Sequence, residues 1–357
     1  VSDEFPSGRG RRPALTALAV LVWALAGATF LWLRRVAPEA IGFDFAVYLR
    51  AFRVATSGAN PYAPYAIGEG FLNHPFLLTA VAPLAWLDDS VARWLWLALS
   101  ATAWATCCWM VVELAGARPA RFWLVILLGF APAVEMLYVG QVNAFALLAL
   151  LLAFVLARRE QPIAAGALLA LAIVLKATPA FLLLYFAAVR QWRVVGAALV
   201  GVALLTLLPA VQFGPGVLAS YAETLARLSA EIHPRPLNLG LPALLARATG
   251  FLGLALPDAW LRGLPRAAVA GAALLLLGSF ARRAPEPDRR LSLFAAFGAL
   301  GTLASPLIWY HHLVFLLPGL GVLVADRSRR MAALGVSCLL AIQIERLWET
   351  AVDGFPL

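Results

Sequence analysis

The stretch PFLLTAVAPLAWL, residues 75–87, decides how the rest of the chain is threaded. It is apolar enough for a membrane, but it is short and Pro83 interrupts it, whereas a crossing helix needs about 20 apolar residues. Read as a crossing, it inverts every connection that follows it. Read as a re-entrant or interfacial helix, it leaves those connections with one consistent charge pattern.

Outward from this segment the chain stays apolar to both ends. Of its 357 residues, 62% are hydrophobic and 13% charged, about half the charged share of soluble domains, and the mean hydropathy is +0.85. Apolar runs lie near 14–33, 91–115, 121–138, 141–157, 162–175, 177–190, 194–211, 264–281, 290–304, 307–325 and 331–347. The expected fold is all-α, a polytopic membrane protein of about eleven transmembrane helices with interfacial or re-entrant helices on its outer face. It forms one domain over 1–357. Run 14–33 is too long for a signal-peptide core and lacks a small-residue cleavage site, so it counts as a membrane helix.

Twenty-eight Lys and Arg against nineteen Asp and Glu give a net charge of +9. In a soluble chain that surplus would suggest nucleic acid. Here it sits in the short connections RGRR, GARPAR, RRE, RQWR, ARRAPEPDRR and DRSRR, and with 75–87 not crossing, all of them fall on one side. By the positive-inside rule that side is cytoplasmic, so nucleic acid is rejected and the lipid bilayer is the expected partner. Residues 1–12 become a cytoplasmic basic tail, and two outer loops follow at 36–90 and at 212–263, the second holding Glu223 and His233. The short turns YVGQVN, KATP and SPLIWYHH reach that same outer face.

Few polar residues interrupt the apolar runs, and they are the candidates for function. In IGFDFAVYLR, residues 41–50, Asp44 opens a segment with Phe45, Leu49 and Phe52 on one face, an amphipathic helix suited to the interface. Asp44 is its natural N-cap, and the same carboxylate can serve as a catalytic base. Lys176 ends the fourteen-residue run 162–175, whose rise of about 21 Å is less than a full hydrocarbon core, and Pro179 marks a break. A lysine at that depth needs a partner, and the options are a pair with Glu135 or an anionic lipid phosphate.

His311 and His312 follow Trp309 and Tyr310, where ordinary packing competes with hydrogen bonding to a phosphate or sugar. Neighbours on a helix point about 100° apart, so the two imidazoles do not suit one metal ion. In GQVN, Gln141 and Asn143 can satisfy a helix start or meet sugar hydroxyls. Asp88 and Asp89 read as a turn that caps the following helix rather than as a catalytic carboxylate pair. Cys107, Cys108 and Cys338 have neither metal-ligand nor disulfide spacing. Walker A, dinucleotide-binding and esterase motifs are absent.

FDFAVYLRAFRVATSGANPY, the short helix ending in PLAWL, then GQVN, AAGALLALAIVLKATP and SPLIWYHH together resemble glycosyltransferase family 87, over roughly residues 40–325. The resemblance implies a GT-C superfamily enzyme that moves a sugar from a polyprenyl-phosphate donor to a glycolipid or glycan acceptor, with Asp44 as general base. It implies Lys176, His311 and His312 at the donor phosphate, no cofactor and no required metal. Tyr48, His74, Glu135, Gln141, Asn143 and Trp309 are the expected sugar or acceptor contacts. FLNHPF departs from the family pattern, placing Asn73 and His74 where an aromatic residue is expected before the proline. The expected location is a bacterial plasma membrane with the site facing outward. A transporter or flippase is the rival reading, since Lys176, Glu135 and a broken helix also suit substrate passage.

Overall fold

The computed structural model describes residues 11–63, 70–230, 238–280, 289–326 and 328–353. His233 and most of residues 1–12 lie outside them. Among the described residues the structure is helical, with no strand. The first half runs α1 (Arg11–Val36), α2 (Phe43–Thr56), α3 (Phe76–Val81), α4 (Asp89–Ala115), α5 (Ala120–Leu128), α6 (Ala131–Val139), α7 (Asn143–Arg158) and α8 (Pro162–Leu175). The second continues with α9 (Leu182–Ala188), α10 (Trp192–Phe213), α11 (Gly216–Ala230), α12 (Leu241–Phe251), α13 (Asp258–Phe280), α14 (Arg290–Leu303), α15 (Leu317–Ala325) and α16 (Arg329–Asp353).

Among the described residues the eleven apolar runs are largely helical, but their lengths differ. Among the described residues, α1, α4, α10 and α13 are long and apolar enough to cross a membrane, and α5 with α6 forms a fifth candidate bent by 49°. This is a multi-pass membrane protein. The remaining apolar helices are shorter, and Phe76–Trp86 is one of them: α3 passes into a 3-10 turn at Ala82–Trp86 around Pro83. Its eleven residues rise about 16 Å and cannot cross a core of about 30 Å.

Small residues let the bundle close. On α8, Gly166 lies one turn from Ala170, and on α10 Ala197 lies one turn from Gly201. A β-carbon at Gly166 would meet that of Ala197 at 2.5 Å, and one at Gly201 would meet that of Ala170 at 2.7 Å. This is the small-xxx-small contact through which helices approach closely without a hydrophobic drive from water. It fixes α8, and thereby the position of Lys176 at its end.

The bend between α5 and α6 frees backbone groups that lipid cannot satisfy. Gln343 of α16 meets two of them: fully buried, it donates to the Gly129 carbonyl (2.9 Å) and accepts from Ala131 N–H, and it also donates to the Val22 carbonyl of α1 (3.2 Å). The Tyr310 hydroxyl donates to the Ile342 carbonyl at 2.7 Å, tying α16 to the turn after α14.

At α2, the amphipathic face is as expected, with Phe45 and Leu49 buried while Arg50 and Arg53 are exposed. That face packs on protein, where Phe45 stacks on Trp96 of α4 with ring centres 5.0 Å apart. Asp88 caps α4 as expected, accepting from Ser90 N–H at 2.9 Å, and Asp89 pairs with Arg53.

Candidate active site

Two glycines set the floor of the site. Gly42 (φ 70°) precedes α2 and donates its N–H to the Tyr138 carbonyl at 2.8 Å, while Gly140 (φ 76°) ends α6. A β-carbon on Gly140 would stand 3.2 Å from both Gly42 Cα and Phe45 Cβ, and the Gly140 carbonyl accepts from Trp96 Nε1 at 2.8 Å. The left-handed backbone that only glycine adopts readily thus brings the start of α2 against the end of α6.

The expectation that Asp44 caps α2 is corrected here. Gly42 holds the cap position without a side-chain bond, and Asp44 lies inside the first turn, where the helix dipole favours its negative charge. Its carboxylate is freed from the backbone and meets the side chain of Gln141. Tyr48 donates to Gln141 Oε1 at 2.9 Å, so the Gln141 amide N–H is the group left for Asp44. Asp44 is half-buried, open to a cavity and closed by protein elsewhere. Burial pushes its carboxyl above the usual carboxylate range, against the pull of His311, Gln141 and Lys176.

Lys176 lines the same cavity as that carboxylate. α8 stops at Leu175, Lys176 turns extended (φ −152°, ψ 129°), and a 3-10 turn follows at Thr178–Phe181 around Pro179. The break expected from the sequence is present. Its ammonium and Asp44 are near enough to act on one another. Glu135, weighed as the partner of Lys176, pairs with His311 Nδ1 at 3.1 Å, both side chains buried.

The third wall is the segment leading into the 3-10 turn Tyr310–Leu316. His312 Nδ1 accepts from Trp309 N–H at 3.2 Å, which leaves the ring proton on Nε2. That nitrogen is buried without a hydrogen bond of ordinary geometry among the described residues, the Leu307 backbone lies close to the ring, and His312 lines the cavity. Asn143 donates to the His311 carbonyl at 3.1 Å and steadies the turn from behind.

Of the ten expected site residues, Asp44, Tyr48, His74, Gln141, Lys176, Trp309 and His312 line one cavity. Glu135, Asn143 and His311 do not line it: they stand behind its wall as the support of His312. His74 is spoken for. Its Nδ1 accepts from Phe76 N–H at 3.1 Å, so Nε2–H donates to Thr206 Oγ1 at 3.1 Å, and Thr206 in turn donates to the Val202 carbonyl. Burial pushes His74 down to about 4, so the ring is neutral and joins α3 to α10. Sequence reasoning missed Tyr221 and Thr178, which line the cavity as well. Tyr221 lies on the amphipathic α11 inside an apparent loop, and its aromatic ring was the one signal available.

One carboxylate beside an amide, one ammonium in the same cavity and one imidazole N–H aimed at no other described side chain suit a reaction in which a hydroxyl loses a proton while an anion departs. Among the described residues, no group of three or more His, Cys, Asp or Glu is placed to hold a metal ion.

The chain belongs to glycosyltransferase family 87, whose profile matches residues 71–306. It is also 28% identical, over 393 aligned positions, to a polyprenol-phosphate-mannose-dependent alpha-(1-2)-phosphatidylinositol mannoside mannosyltransferase of Mycobacterium tuberculosis. That alignment covers 99% of this chain and 86% of the relative. No solved structure matches. The profile stops short of Asp44 and of Trp309–His312.

Proposed function

We propose that the protein is an inverting glycosyltransferase of about eleven membrane helices and GT-C type. It moves a sugar, mannose by analogy with its relative, from a polyprenyl-phosphate donor to a glycolipid acceptor at the outer face of the membrane. The observation that carries the reading is that Asp44 shares one cavity with Lys176 and His312. Asp44 takes the proton of the acceptor hydroxyl as its oxygen forms a bond to the anomeric carbon. The bond to the phosphate oxygen breaks on the opposite face, and its electron pair leaves with polyprenyl phosphate. Lys176 and the His312 Nε2–H stabilise that leaving anion. Gln141 and Tyr48 orient the base, and Trp309 lines the space for the sugar. The scheme requires no metal.

The raised position of Asp44 suits this role, because a general base works best when its pKa approaches the working pH. The sign follows directly. The base must be ionised, so activity falls as pH drops through a pKa above the ordinary carboxylate value. For stability the sign is opposite: a carboxyl whose folded pKa is raised favours the fold when protonated and loses that contribution as pH rises. The test incubates purified protein with labelled polyprenyl-phosphate mannose and phosphatidylinositol mannosides. Asp44→Asn is expected to lose about 10²- to 10⁴-fold in kcat, with a thermal midpoint no lower than wild type. Transfer at the wild-type rate by the variant would remove Asp44 as the base.

A further inference from the structure

A second cavity lies on the far side of the segment that walls the catalytic one. Ser305 and Leu307 line the catalytic cavity, whereas Ala304 and Pro306 line the second. The partition is pinned by Asn238, whose Oδ1 accepts from Ile308 N–H (3.0 Å) and Gly240 N–H (2.9 Å) and whose Nδ2 donates to the Pro306 carbonyl (3.2 Å). At the end of α11, Leu228 faces the first cavity and Ser229 the second.

The second cavity is mostly apolar but contains two guanidinium groups, Arg262 and Arg266. Four residues apart on α13, they share one helix face. They lie about 6 and 12 Å along a helix that is apolar enough to span, near the depth where headgroups give way to hydrocarbon. The rest of the lining, Phe181, Val269, Ala270 and Leu303 among it, offers apolar surface for an acyl chain.

Both arginines touch the end of α11: Arg262 Nη1 donates to the Ala230 carbonyl at 2.7 Å and Arg266 Nη2 to the Ser229 carbonyl at 3.1 Å. Arg262 also lies 3.5 Å from the Asp258 carboxylate, which is largely exposed, so that pair contributes little. Each guanidinium carries five N–H donors, and capping a helix end uses few of them. Among the described residues, two positive forks opposed by one solvated carboxylate leave a net positive charge beside apolar surface, the setting in which planar guanidinium groups recognise phosphate oxygens.

We propose that this cavity binds the anionic phosphodiester of the lipid acceptor through Arg262 and Arg266. The acyl chains follow the apolar lining of the same cavity, Phe181, Val269 and Leu303, and the glycan reaches the neighbouring catalytic cavity. The word acceptor rests on the function proposed above; the anionic-lipid site does not.

Two measurements on the full chain separate these parts. In detergent, wild type is expected to bind phosphatidylinositol about tenfold or more tightly than diacylglycerol, a preference that Arg262→Gln/Arg266→Gln loses. Arg262→Lys/Arg266→Lys keeps the charge and the caps of α11, so it recovers part of the preference at an unchanged thermal midpoint. Equal binding of the two lipids by wild type, or a preference that survives in the Gln variant, would overturn the site. In transfer assays, the ratio of kcat/KM for a phosphatidylinositol mannoside to that for an uncharged alkyl mannoside is expected to fall about tenfold or more in the Gln variant, through KM. A ratio that holds while lipid binding is lost would overturn the acceptor assignment. If wild type mannosylates neither compound, the proposed reaction has failed, and the binding comparison still decides the lipid site.

Discussion

The floor of the catalytic cavity and the α11 wall above it are built on opposite principles. On the floor and the walls beside it, functional groups are held by others: Tyr48 donates to Gln141, Gln141 lies against Asp44, and Glu135 and Asn143 hold the turn that carries His312. α11 buries only Val217 and Thr224, and its Tyr221 meets the site through ring contacts with Tyr62 (5.8 Å) and His74 (5.1 Å). A fixed floor suits bond making, where small displacements are costly. A lightly packed wall suits reception of substrates that differ in size.

The contrast is broken first at the catalytic groups. Lys176→Ala is expected to lower kcat/KM for the polyprenyl-phosphate donor about 10²- to 10³-fold, the usual scale for removing one charge-stabilising donor. Steady-state kinetics with the donor varied checks it, and an unchanged donor KM together with an unchanged kcat would take Lys176 out of the phosphate site. Gly140→Val should cost about 10²-fold in kcat by moving Asp44 away from Gln141. Because that loss acts through Asp44, the same substitution in the Asp44→Asn background should add little, and full additivity would deny the positioning role. The smallest effect belongs to the wall: Tyr221→Leu should raise acceptor KM about 2- to 10-fold at constant kcat, the scale of lost aromatic contacts. A change in kcat instead would mean that α11 takes part in the chemistry.

Local signals made much of this molecule legible. Long apolar runs between basic turns gave the helices, and Lys176 before Pro179 gave the broken helix, because both depend on neighbours in sequence. What escaped the sequence depends on neighbours in space. Asp44 looked like a cap because acids cap helices, yet Gly42 takes that position once its N–H is committed to Tyr138. Glu135 is 176 residues from its partner His311, and His74 is 132 from Thr206. Gln343 answers groups on three other segments, and no periodicity marks such a residue. Arg262 lies beyond the start of α13 at Asp258, inside a stretch that reads as loop up to residue 263.

The segment Ala304–Leu307 presents alternate residues to the two cavities, and Asn238 locks it from one side. Two compartments that share a clamped wall cannot readily sense each other's contents, because coupling between sites needs an element with two arrangements. Under the proposed assignments, donor and acceptor lipids load in either order, each drawn from the bilayer by its own phosphate. They meet in the cavity that Asp44 lines.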